Sequence, residues 1–284
     1  MPGTLFLVAT PIGNLEDVTA RALRVLREAD VVAAEDTRRT ARLLNHFGIT
    51  TPLTSLHEHN EHRKQTALVE RLLRGDTIAL VSDAGTPLVS DPGAALVRAA
   101  RASDVRVVAV PGPSAVLAAL TTSGLPCETF TFLGFLPARA AERSRWLQRA
   151  AAEPHTVVCF EAPHRLRQTL AEMSLVFGER QICLGRELTK VHEDVVTGTA
   201  GELLMNLQED RGECTLVIAP DASASRIPDD APDDRQTWLD FRQLTEQEGL
   251  GRREAVSTLA RRYGRSARGV YAAIERARSS DAQA

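Results

Sequence analysis

Aromatic side chains are scarce: Phe, Trp and Tyr together make up 4% of the 284 residues. The hydrophobic share is nevertheless 43%, so a core of ordinary size must be built from Leu, Val, Ala and Ile. Long apolar runs are missing as well. The longest near the N-terminus, Leu5–Ala9, is far too short to span a bilayer and has neither a basic flank nor a cleavage site. A cytoplasmic protein with no membrane partner is the expectation. The four cysteines, Cys127, Cys159, Cys183 and Cys214, form no C-x-x-C pair, which disfavours a disulfide framework or a zinc knuckle.

Several signatures of cofactor chemistry are also missing. No G-x-x-x-x-G-K-[ST] is present, no G-x-G-x-x-G follows the first strand, and no G-x-S-x-G occurs. A phosphate-loop nucleotide site, a dinucleotide fingerprint and a hydrolase elbow are thereby disfavoured. His57, His59 and His62 form no H-E-x-x-H and read as a polar loop facing solvent or a cleft, so no metal is expected.

Charge is uneven. The net value is −3, yet Gly249–Arg278 holds eight arginines against Glu254 and Glu275, a local +6. The preceding "DASASRIPDDAPDDR" (Asp221–Arg235) is acidic and rich in Pro and Ser, as a linker would be. Arginine without lysine in the tail favours phosphate contact over a merely solvated face.

The first 122 residues alternate strands with amphipathic helices. "TLFLVAT", "VVAAED", "TIALV" and "VRVVAV" read as buried strands, and helices fall between them, the first with Asp17 as its N-cap. Continuous apolar strands imply a largely parallel sheet covered on both faces. After "SGLP" (Ser123–Pro126) a second α/β domain is expected over 123–220, with strands at "TFTFLGFLP", "HTVVCFEAPHR", "ERQICLGREL" and "CTLVIAP" and helices around Arg143–Ala151 and Leu166–Phe177. An acidic linker at 221–236 then leads to a basic helical module at 237–284, where helices at Arg253–Tyr263 and Ala267–Arg278 have helix-turn-helix spacing.

Each strand of the first domain runs into a loop rich in turn residues: Thr10–Asn14, Glu35–Arg39, Ser82–Pro87 and Pro111–Ala115. Open parallel sheets bind ligands at the carboxyl ends of their strands. For any one such loop, ordinary turn chemistry is the competing reading. Four at equivalent places read as a ligand cradle, where Gly and Pro let the backbone approach and helix starts favour anionic groups. "EAPHR" (Glu161–Arg165) and "GRELTKVHE" (Gly185–Glu193) fall at strand ends of the second domain, where they would either face the same cleft or form interdomain ion pairs.

"TPIGNLEDVTARAL", "AEDTRRTARLL", "SLHEHNE", "SDAGTPLVSDPG", "PGPSA", "SGLP", "FLGFLP", "FEAPHR" and "GRELTKVHE" occur in this order between Gly3 and Pro220. Together they resemble the branch of the tetrapyrrole methylase superfamily that methylates small-subunit ribosomal RNA. The resemblance implies two α/β domains with a cleft between them, plus a C-terminal helical module. It also implies S-adenosylmethionine as cofactor, 2′-O-methylation of a cytidine in the decoding region of 16S rRNA, by resemblance cytidine 1402, and a homodimer. Carried over by motif, the donor would contact Pro11, Gly13, Asp83, Gly85, Thr86, Pro87, Ser114, Ala115, Ala162, Pro163, Glu213, Cys214 and Thr215.

A ribose hydroxyl is a very weak acid, so in-line transfer calls first for positioning and then for a base or cation. Asp36, Glu161 and Glu187 are the candidate bases, and Lys190 is a candidate catalytic cation for the flanking phosphates. Arg38, Arg39, Arg165, Arg186, Arg252, Arg253, Arg261, Arg262, Arg265 and Arg268 are the candidate RNA contacts. A methylase of a small tetrapyrrole would have no use for the basic tail, and a non-catalytic assembly factor would leave the strand-end loops unexplained.

Overall fold

The computed structural model describes all residues except 58–59, 209–210, 222–232, 248, 264–266 and 282–284. The chain divides into two compact units, Met1–Pro220 and Asp221–Ala284.

The first unit opens with β1 (Thr4–Val8), α1 (Ala20–Glu28), β2 (Val31–Ala34), α2 (Thr37–His46) and β3 (Leu53–Ser55). It continues through α3 (Glu61–Leu73), β4 (Ile78–Val81), α4 (Ala94–Ala102), β5 (Arg106–Val110) and α5 (Ala115–Thr122). The strands form one parallel sheet in the order β3-β2-β4-β1-β5. β2 and β4 are buried at every position, as runs such as "IALV" require when both faces are covered. One face packs Ala22, Val25, Leu26 and Leu44 of α1 and α2, and the other packs Leu68, Leu72 and Leu96 of α3 and α4. The chain leaves β1 toward β2 on one side and leaves β4 toward β5 on the other, although β1 and β4 are neighbours. The winding therefore reverses at the β1–β4 boundary, where a doubly wound sheet opens a crevice.

Local capping differs from the sequence expectation. Asp17 ends a short 3-10 turn, Leu15–Asp17, which Asn14 caps, and α1 starts behind Thr19, whose hydroxyl accepts from Ala22 N at 3.0 Å. Three candidate caps within six residues leave the register to the apolar face of the helix, which Ala22, Val25 and Leu26 set.

The second sheet contains β6 (Phe130–Phe135), β7 (Thr156–Glu161), β8 (Gln181–Arg186), β9 (Asp194–Thr199) and β10 (Cys214–Ile218), with α6 (Ala140–Ala151), α7 (Leu166–Phe177) and α8 (Ala200–Asn206) between them. Its order is β6-β7-β10-β8-β9, and only the β6–β7 pair is parallel. Cys214, Leu216 and Ile218 of β10 point to the face covered by α6–α8, while Val217 points to the opposite face. That opposite face is covered by α5, through Val116, Ala119 and Leu120. α5 thus follows the parallel sheet in sequence but packs on the mixed one. β9 and α8 were not anticipated from the sequence, although Thr199 and Glu202 form a reciprocal capping box at the start of α8.

The second unit holds α9 (Asp234–Arg242), a π turn (Gln243–Gln247), α10 (Arg252–Arg262) and α11 (Ala267–Asp281) around Phe241, Leu244, Leu259, Tyr263, Val270 and Ile274. α9 begins behind Asp233, which accepts from Gln236 N at 2.7 Å, so a helix starts within the stretch read as linker.

Candidate functional site

Two loops meet at the β1–β4 crevice. Thr10, just beyond β1, and Gly85, beyond β4, exchange two backbone hydrogen bonds of 2.9 and 3.0 Å. The Thr10 hydroxyl adds a third tie, donating to Ser82 O at 3.2 Å. Gly85 has φ +75°, and a Cβ there would stand 3.3 Å from Ile12 Cγ2, so glycine is needed for both conformation and space. Leu88 and Ser90 in the same loop, and Glu187 and Thr189 in the β8–β9 connection, also hold positive φ. Non-glycine residues in that region are uncommon and persist only where the surrounding structure holds them.

Beside this junction lies a cavity of about 490 Å³ whose lining comes from both sheets. Of the residues that the sequence assigned to a cofactor, Asp83, Gly85, Thr86, Ser114, Ala115, Ala162, Pro163, Glu213, Cys214 and Thr215 line it. Pro11, Gly13 and Pro87 do not line it. Pro11 borders a neighbouring cavity of about 200 Å³. Gly13 packs under the β8–β9 connection, where a Cβ would meet Lys190 Cγ at 2.4 Å.

The lining also includes residues that the sequence reading missed: Ile12, Glu35, Val89, Asp91, Phe135 and Phe160. Phe135 and Phe160 form an apolar wall, their ring centroids 5.2 Å apart. Burial, with Asp83 and Asp91 nearby, raises the proton affinity of Glu35. Burial also lifts Asp91 to about 6, with Asp83 adding to the rise and a hydrogen bond from Ser82 opposing it. The Cys214 thiol is pushed up to about 11 by burial and is neutral near pH 7.

The candidate bases chosen from the sequence are engaged elsewhere. Asp36 caps α2, accepting from Arg38 N at 2.8 Å and from the Arg38 guanidinium at 2.8 and 3.1 Å, and these bonds hold its carboxyl well below the usual range. Its own N–H donates to Asp83 Oδ1 at 2.9 Å. Glu161 lines the cavity, but its carboxylate accepts from Ala162 N at 2.6 Å, from the Thr169 hydroxyl at 2.5 Å and from Arg165 at 2.5 Å. Glu187 accepts from Lys190 Nζ and from Glu213 N, both at 2.8 Å, and the Lys190 bond lowers its pKa. Burial works against the Lys190 charge, yet Glu187 and Glu213 more than offset it and hold its proton above the usual lysine range.

The candidate RNA contacts separate in the same way. Arg38 and Arg39 are exposed at the start of α2, and Arg39 Nη1 lies 3.6 Å from Asp83 Oδ2. Arg165 is turned inward, bonded to Glu161 and to Leu136 O at 3.0 Å, so its guanidinium holds the fold together. Arg186 borders a third cavity of about 670 Å³ together with His192 and Arg211. Arg252, Arg253 and Arg262 are exposed on α10. Arg265 lies outside the described residues, as do the side chains of Arg261 and Arg268.

His57 is tied to Asn60, whose amide lies 2.9 Å from His57 Nε2, while His59 falls outside the described residues. Among the described residues, no three His, Cys, Asp or Glu side chains gather as metal ligands, and no helix is long and apolar enough to cross a membrane.

The family described as tetrapyrrole (corrin/porphyrin) methylases matches residues 4–204. Ribosomal RNA small subunit methyltransferase I of Pseudomonas aeruginosa is 53% identical over 222 residues, covering 76% of this chain and 79% of its own. The protein of the same name from Streptococcus pyogenes serotype M1 is 43% identical over 263 residues, 92% of this chain and 91% of its own. The crystal structure of a diphthine synthase, 18% identical, superposes with a TM-score of 0.61 over 76% of this chain and 90% of that one, a likeness of fold.

Proposed function

Because the chain is a methyltransferase of the tetrapyrrole methylase family, grouping there with the ribosomal RNA small subunit methyltransferase I proteins, we propose that its 490 Å³ cavity seats S-adenosylmethionine for 2′-O-methylation of a cytidine in 16S rRNA. The observation that carries this reading is the cavity itself, built from strand-end loops of both sheets. Its volume falls within the range of about 300–1,000 Å³ that small-molecule sites occupy. Bound there, the cofactor supplies a methyl group on a positively charged sulfonium.

The residues suit that cofactor. Gly85, Ala84, Ala115 and Ala162 leave room against the backbone, Phe135 and Phe160 offer a flat apolar face, and the lining holds no lysine of the phosphate-loop kind. Glu35, Asp83 and Asp91 put acidic groups on one lining, an arrangement that costs free energy in the empty protein and favours a cationic occupant.

Proton transfer from the ribose falls best to Asp91 or Glu35. Both line the cavity, and their raised pKa values bring them nearer the working pH than an ordinary carboxylate. Asp36, Glu161 and Glu187 serve as positioning residues, since each carboxylate is committed to holding a loop or a cation in place. Exposed arginines on α2 and α10 supply contacts to RNA phosphates. A homodimer acting in the cytoplasm belongs to the same proposal, on the strength of the family.

The test is transfer of labelled methyl from S-adenosylmethionine to small ribosomal subunits lacking this modification, followed by mapping of 2′-O-methyl groups. One modified cytidine in the decoding region is the expected result. Donor binding without transfer to subunits or to free rRNA would overturn the assignment of substrate.

A further inference from the structure

The smaller cavity, of about 200 Å³, shares two residues with the larger one. Arg39 and Asp83 border both, and their side chains come within 3.6 Å of each other. Pro11, Leu15 and Leu43 give the smaller cavity apolar surface, and Arg39 and Arg42 bring charge to it from α2. The two arginines stand three residues apart on the helix, hence on one face. Asp36 N, by donating to Asp83 Oδ1, fixes the carboxylate that divides the two spaces.

We propose that this smaller cavity seats the base of the nucleoside to be methylated, one pyrimidine ring turned out of its strand, while Arg39 and Arg42 meet the flanking phosphates. The proposal rests on the methyl-transfer reading and adds where the acceptor sits. Three observations carry it. The volume is below the roughly 300 Å³ at which sites for drug-sized ligands begin, so it suits a single ring rather than a whole cofactor. Its aliphatic side chains, Pro11, Leu15 and Leu43, offer the apolar contact with which nucleic-acid enzymes grip an extruded base, and guanidinium groups beside it suit the backbone on either side. Finally, a methyl group passes only between adjoining sites, and the Arg39–Asp83 pair is common to both cavities.

Leu43 is half-buried on α2, so a larger side chain there fills the cavity without entering the core. In Leu43→Trp, the affinity for S-adenosylmethionine measured by calorimetry stays within about twofold of wild type, while methyl transfer to undermethylated small subunits falls by about 100-fold, as misplacing a reactant does. Leu15→Trp, on the exposed 3-10 turn, repeats the test should the first variant fold poorly. Leu43→Ala enlarges the space and raises methylation of RNA carrying a purine at the target position by about tenfold relative to the native pyrimidine, a change in specificity that a purely structural role would not produce. Transfer at the wild-type rate by both tryptophan variants overturns the proposal. Loss of donor affinity in them also overturns it, because the small cavity would then belong to the donor. A wild-type chain that binds no donor takes down the methyl-transfer reading and this proposal together, whereas the first two outcomes leave that reading standing.

Discussion

Thr10 and Gly85 bond to each other through both of their backbone groups, at 2.9 and 3.0 Å, and so join the loops that leave the two neighbouring strands β1 and β4. This bridge sits where the winding of the parallel sheet reverses, and it holds the Asp83–Gly85 segment against the cavity. Function here depends on backbone placed by tight turns, so substitutions in those turns should act on binding as well as on stability.

Gly85→Val tests this directly. A β-branched side chain at φ +75° is strained by about 1–2 kcal/mol, and its Cβ crowds Ile12, 3.3 Å away. The expected outcome is a folded protein with a lowered denaturant midpoint and affinity for S-adenosylmethionine reduced more than tenfold. Unchanged affinity would remove Gly85 from the site.

The buried carboxylate of Glu161 holds Arg165, Thr169 and Ala162 N at once. Glu161→Ala leaves Arg165 without its carboxylate partner and should cost about 3 kcal/mol or more, in line with broken buried pairs. Urea unfolding with an unchanged m value would show it. If Glu161 acted only as a base, activity would fall while stability stayed level.

Asp91 makes stability depend on pH with a definite sign. In the folded chain it keeps its proton until about 6, whereas the unfolded group has the ordinary value of 3.8. The folded state binds the extra proton between those values, so this group's contribution favours folding most below about 4 and is lost as pH rises through about 6. Asp91→Asn should flatten the thermal midpoint across that window and stabilise the protein near pH 7. In the wild type, affinity for the cationic donor should increase as pH rises through about 6, because an ionised Asp91 attracts it. A pH-independent affinity would exclude Asp91 from the donor's surroundings.

Much of this architecture is legible in the sequence. Apolar runs such as "TIALV" give parallel strands, α7 spans Leu166–Phe177 as its pattern suggests, and the Gly- and Pro-rich loops do converge on one cavity. Local pattern does not reveal partnership. α5 packs on the mixed sheet because Val116, Ala119 and Leu120 find Val158, Cys183 and Val217, a choice made by tertiary contact alone. Charge pattern likewise hides commitment: Asp36, Glu161 and Glu187 look free in the sequence and are each bonded in the fold. Glu35 and Asp91 lie inside the quoted motifs, but their burial becomes visible only when both sheets enclose them.

Exposed arginines on α10 should act through phosphate contact. Neutralising Arg252 and Arg253 together should weaken binding to rRNA uniformly across sequences and reduce the slope of log K against log salt by about 2. Filter binding at several salt concentrations checks this, and an unchanged slope would place the RNA elsewhere.

The central claim is that small-residue loops from two sheets enclose a seat for a sulfonium cofactor. Calorimetric titration of the purified full chain with S-adenosylmethionine tests it most directly. Saturable binding with one site per chain, weakened more than tenfold in Gly85→Val, is the predicted result; no heat of binding at millimolar donor, from a chain shown to be folded, would contradict it.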